Sequence, residues 1–201
     1  MNIQISNYAR LWLNLLVVSL ALATPRPSNA QEHPANPDKL PEMQITNEGF
    51  LAINTPKGWF RTDGPGLVFF LRKGDKKQTA NVWIYINSEP IGPSEEAKTF
   101  EAYIESDVAG FKDRFKEGSV QKEEPLDLPY AETNVPVITF QSGEEHNSFE
   151  EVVYIPERGR VLLLVLSARK KEAFAQARPV FQEFAKSYRG SISPGQSPKK
   201  P

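Results

Sequence analysis

The sequence predicts an α+β domain in which a central antiparallel sheet is flanked by helices. Three observations carry that expectation. Between Val135 and Ala168, strong strand segments are separated by joints of only a few residues, which suits antiparallel hairpins. The run Val161 to Leu166 is apolar without alternation, so the strand it forms must be covered on both faces. Two stretches with apolar residues at helical spacing, one before the hairpins and one after them, supply the covering layers.

In chain order, GFLAI (Gly49 to Ile53), GLVFFLR (Gly66 to Arg72) and NVWIYIN (Asn81 to Asn87) are rich in β-branched and aromatic residues and read as strands. The last two flank KGDKKQTA, whose Gly74-Asp75 suits a hairpin turn. A helix is expected from about Glu95 to Lys116, with Pro93-Ser94 as its start signal and Gly118 as its stop. Phe100, Ile104, Val108, Phe111 and Phe115 line one of its faces. Glu95 and Glu96 at its N-terminus and Lys112, Arg114 and Lys116 at its C-terminus suit the helix dipole. SVQKEEPLDL (Ser119 to Leu128) is a weak strand, and VPVITFQ, SFEEVVYI and RVLLLVLSA follow as a meander over residues 135 to 168. At the end, Phe174, Ala177, Phe181, Phe184 and Tyr188 share a helical face that Pro179 interrupts. A short turn up to about Ala177 and a separate helix from Pro179 to Tyr188 are therefore expected, because proline is best tolerated at a first helical position.

The first thirty residues have the parts of a secretory signal: Arg10, an apolar run from Leu11 to about Ala23, and Ser28-Asn29-Ala30 as a cleavage site, with Ala21-Leu22-Ala23 as an alternative. The run is roughly 13 residues where a membrane-spanning helix needs about 20, so no stable anchor is expected after cleavage. A periplasmic or secreted protein beginning at Gln31 is the expectation. The chain has no cysteine, which excludes disulfides, thiolate metal sites and a lipid-modified cysteine. Without residues 1 to 30 the net charge moves from −1 to about −3, a balance with no footprint for nucleic acid. Pro34, Pro37 and Pro41 mark residues 31 to 42 as a flexible linker, and GSISPGQSPKKP (Gly190 to Pro201) reads as a disordered tail. One domain from Met43 to Arg189 remains, long enough to bury a core without staples.

The order of these elements, together with Phe50, Ile53, Pro56, Gly58 and Trp59 at their spacing and the Arg178-Pro179-x-Phe181 pattern in the closing helix, resembles the PsbP-like and DcrB-like domains of exported proteins. The similarity covers about residues 45 to 189. It implies an α/β/α sandwich and an accessory or binding role without catalysis, toward an envelope protein or a small ligand. This chain lacks the lipid-attachment cysteine of many such proteins.

Three aromatic residues are candidates for ligand binding. Trp59 follows Pro56 and Gly58 in NTPKGWF, and it either closes the core as a corner or offers a platform. Trp83 and Tyr85 point to one face of their strand, with Val82, Ile84 and Ile86 opposite, where they would stack on a flat ligand or join the core. GEEHNSFEE offers Glu144, Glu145 and His146, with Glu150 and Glu151, as donors for a divalent cation or an exported hydrolase. Its spacing matches no established metal or catalytic motif, and a solvated polar turn is the plainer reading. No cofactor and no catalytic residue are expected.

Overall fold

The computed structural model describes residues 42–46, 49–63, 68–130, 134–143 and 146–192, all of which lie in one compact unit, Leu40–Pro201. The expected signal, nearly all of the linker, the tail beyond residue 192, and Glu144 and Glu145 fall outside the described residues.

Among the described residues, ten strands and two helices follow one another as β1 (Met43–Thr46), β2 (Gly49–Ala52), β3 (Trp59–Asp63), β4 (Val68–Arg72), β5 (Val82–Pro90), α1 (Phe100–Arg114), β6 (Ser119–Lys122), β7 (Val137–Gln141), β8 (Phe149–Glu157), β9 (Arg160–Ala168), α2 (Lys171–Lys186) and β10 (Ser191–Ile192). Seven strands form an antiparallel sheet in the order β3-β4-β5-β9-β8-β7-β6, and β1-β2-β10 form a small second sheet. The expected class, a central antiparallel sheet between helices, is what the chain adopts.

The pleat decides which helix covers which face. On one face β5 contributes Val82, Ile84 and Ile86, β9 contributes Leu162, Leu164 and Leu166, and β8 contributes Val153 and Ile155, all packed with Phe174, Ala177, Phe181 and Phe184 of α2. The alternate residues Val161, Leu163 and Val165 are equally buried but point the other way, toward the side that α1 covers. Helix α1 lies there, since its Asp107 bonds to Tyr154, the β8 partner of Leu163; the helix follows β5, near the middle of the sheet, and crosses β9, β8 and β7 on the way to β6 at the far edge. The unalternating run in β9 thus reflects its central position under two helical layers.

Four local expectations differ from the structure. GFLAI does not join the main sheet; it is β2 of the small sheet, and Trp59–Asp63 forms the edge strand instead. Helix α1 starts at Phe100 rather than near Glu95, because the Thr99 side chain accepts a hydrogen bond from the Ala102 N–H and so caps the helix there. Helix α2 runs through Pro179 unbroken. Proline inside a helix costs about 3 kcal/mol, but a continuous helix holds Phe174 and Ala177 in line with Phe181, Phe184 and Ala185 on one buried face. Finally, residues 190–192 are part of the fold: Gly190 accepts a hydrogen bond from the Ala52 N–H, and Ser191 and Ile192 pair with Leu51 and Phe50.

The NTPKGWF corner is fastened from both ends of the domain. Glu42 accepts hydrogen bonds from the Thr55 N–H and hydroxyl, and the Asn54 N–H donates to the Ser187 hydroxyl just beyond α2. Gly58 takes the left-handed conformation (φ 78°) that lets the chain reverse into β3. Trp59 lands in the core on the α2 side, 9 % exposed, with the Arg72 guanidinium 5.7 Å above its ring.

Candidate functional site

The face covered by α1 carries a transverse row that strand register alone defines. Phe140 of β7 pairs with Glu150 of β8, Glu150 with Ser167 of β9, Ser167 with Trp83 of β5, Trp83 with Leu71 of β4, and Leu71 with Phe60 of β3. Because paired residues point to the same face, these six side chains stand side by side. The next row brings Val152, Val165, Tyr85 and Phe69 together.

Under α1 this face is polar and closed. Asp107 projects from the helix and accepts a hydrogen bond from the Tyr154 hydroxyl at 2.5 Å, while Tyr103 meets the Tyr154 ring edge-on at 6.5 Å. Glu150 is 9 % exposed; Ser167 hydrogen-bonds to its side chain, and its Oε1 has no hydrogen-bond partner among the described residues. Burial pushes the Glu150 carboxyl up to about 8; the charge of Asp107 adds to this, while Ser167 and Arg114 oppose it. Burial also raises Asp107, against the pull of its Tyr154 hydrogen bond and of Arg114. At neutral pH Glu150 is therefore mostly a neutral acid.

Away from α1 the same face is aromatic and partly open. Phe69 and Tyr85 stack at 5.6 Å. Trp83 and Tyr85 are half-buried, and Phe60 at 38 % exposed is one of two large apolar side chains that stand out among the described residues. The Tyr85 phenol is raised chiefly by burial and then by the charges of Glu150 and Asp107, so the strip and the acidic cluster adjoin through it. Lys77 and Arg169 lie over the rings of Phe69 and Trp83 at 5.8 and 5.4 Å.

Of the residues singled out from sequence, Trp83 and Tyr85 share this face as their spacing implied, whereas Trp59 lies on the opposite one. The GEEHNSFEE donors do not converge as far as they are described. His146 is exposed and rests against the Phe115 ring at 5.1 Å, Glu150 points beneath α1, and Glu151 points beneath α2. There Arg178 of the Arg178-Pro179 pattern binds Glu151 and, at 2.8 Å, Glu123. Glu151 is raised by burial, which outweighs Arg178, whereas in Glu123 the Arg178 and Thr139 hydrogen bonds outweigh burial and lower it. Among the described residues no three acidic or histidine side chains are placed to hold a metal ion.

Sequence reasoning passed over Asp107 and Tyr154, and it took Glu150 as a donor of the GEEHNSFEE turn rather than as a buried carboxyl beneath α1. A signal was present: two consecutive glutamates in a strand covered on both faces must put one carboxyl under each layer. Asp107 likewise sits three residues after Ile104 and four before Phe111, on the apolar stripe of its helix.

No protein-family model matches the chain, and no curated protein does. Among solved structures, the chain is similar to cyanobacterial PsbP (CyanoP) from Synechocystis sp. PCC 6803, at 12 % identity and a TM-score of 0.49 over 80 % of this chain and 98 % of that one. A protein of unknown function from Pseudomonas aeruginosa, PA94, is similar at 13 % identity and a TM-score of 0.47, over 78 % of this chain and 98 % of its own.

Proposed function

We propose that this is an exported, non-catalytic binding or accessory protein of the cell envelope, and that its ligand surface is the aromatic strip of β3, β4 and β5. The observation that carries the reading is the partly open strip formed by Phe60 and Trp83 of one row and Tyr85 of the next, which continues outward from the face closed by α1. Such a strip offers flat apolar area with little side-chain entropy to lose, and Lys77 and Arg169 beside it suit a ligand with a flat ring and an anionic group. Catalysis is the weaker reading because the Glu150 oxygen that is chemically free, Oε1, is closed off from solvent. Export is supported by the residues 1 to 30 pattern, and no helix among the described residues is long and apolar enough to cross a membrane.

A thermal-shift screen of small aromatic and sugar anions tests the strip. A ligand that raises the melting temperature of the wild type, and does so much less for Trp83→Ala and Tyr85→Ala variants that remain folded, supports it. Ligands that stabilise all three proteins equally place the binding surface elsewhere.

A further inference from the structure

One end of the main sheet gathers positive charge that is scattered along the sequence. The Lys73 N–H donates to the Gly58 carbonyl and the Arg169 N–H to the Asn81 carbonyl, at 2.9 and 2.8 Å, so the corner before β3, the turn between β4 and β5 and the turn between β9 and α2 are tied together. The two turns present Lys73, Lys76 and Lys77 beside Arg169, Lys170 and Lys171, all exposed, and Lys57 stands exposed on the corner. Against them the same segments carry only Asp75 and Glu172, a concentration of positive charge in a chain whose net charge is −1. Trp83 lies at this end, half-buried beneath Arg169.

We propose that this basic end docks the domain on an anionic lipid surface. Three features favour lipid over the other polyanions. The cations are nearly all lysines, point charges suited to diffuse attraction and lacking the planar fork of arginine that reads phosphates or bases in pairs. They are exposed on adjoining turns at one end of the sheet, and each lysine close to an anionic bilayer adds to the attraction within a Debye length. Trp83 stands at the rim, where an indole partitions into the headgroup region. A protein partner would instead require a desolvated anchor pocket among the cations. The inference rests on surface charge; it shares Trp83, Lys77 and Arg169 with the ligand strip, but its test reads salt-sensitive lipid adhesion, which small-ligand binding does not move.

The test is flotation of the full-length chain with vesicles of phosphatidylcholine alone and of equal parts phosphatidylcholine and phosphatidylglycerol, at low and high salt. Adhesion of the apolar segment near the N-terminus is common to both vesicles, so the anionic excess is the quantity read. That excess should be salt-sensitive. It should fall roughly tenfold or more in Lys73→Glu/Lys76→Glu/Lys77→Glu and in Lys170→Glu/Lys171→Glu, two variants in different turns that guard against one failing to fold. Arg158→Glu, in the turn at the opposite end, should leave it unchanged. Equal binding to both vesicle types, or an anionic excess that survives both charge reversals, overturns the proposal. So does binding to duplex DNA or to an acidic protein at salt concentrations where anionic vesicles are not bound.

Discussion

Replacing Glu150 with glutamine tests the closed half of the α1 face quantitatively. The carboxyl is raised from an ordinary 4.5 to about 8 in the folded protein, chiefly by burial. For a group raised on folding, the stabilising contribution is complete below the unfolded value and is lost as pH rises through the folded one. Across that window the loss approaches 1.4 kcal/mol per pH unit, or about 4 kcal/mol between about pH 5 and pH 9. Glutamine keeps the shape and the hydrogen bond to Ser167 and cannot ionise. The assay is urea denaturation of wild type and Glu150→Gln at closely spaced pH values. The stability difference between the two should widen in favour of the variant by about 4 kcal/mol from the acid to the alkaline end, a large part of a typical domain's stability. Asp107 and Glu151 are raised as well and add a slope of the same sign, but both proteins share it. Parallel pH profiles for the two proteins would show that Glu150 is not held in the environment described, and the account of this face would fail.

Three further outcomes are expected. Trp59→Ala should cost about 3–5 kcal/mol in denaturant titrations, since it empties a core corner; wild-type stability would remove Trp59 from the core. Arg178→Met should destabilise by about 3 kcal/mol, because the Glu151 side chain, 0 % exposed, is left buried without its charge partner. Pairing it with Glu151→Leu should recover most of that loss, and a double variant no better than the single one would contradict the argument. Gly190→Ala should cost about 1–3 kcal/mol through its left-handed backbone (φ 107°) and the approach of the new methyl to Tyr130, and faster hydrogen exchange at the Ala52 amide, which bonds to Gly190, should accompany it.

What the sequence determined by itself is the class and most of the elements, because periodicity is a local property. The hairpins after Val135, the doubly covered Val161 to Leu166 run, and the buried face from Phe174 to Tyr188 are all legible from spacing. So is the shared face of Trp83 and Tyr85. Where local signals compete with packing, tertiary structure decided. Pro179 signals a helix start, yet burial of residues on both sides of it keeps α2 continuous. Gly190 to Ile192 have tail-like composition, yet an open edge of β2 recruits them. The proposed surfaces depend on residues far apart in the chain. Glu150, Ser167, Trp83, Leu71 and Phe60 meet only because five strands align in one register, and a cross-strand row has no counterpart in sequence distance. The basic end has the same origin: a net charge of −1 averages over positions that three adjoining turns then separate in space.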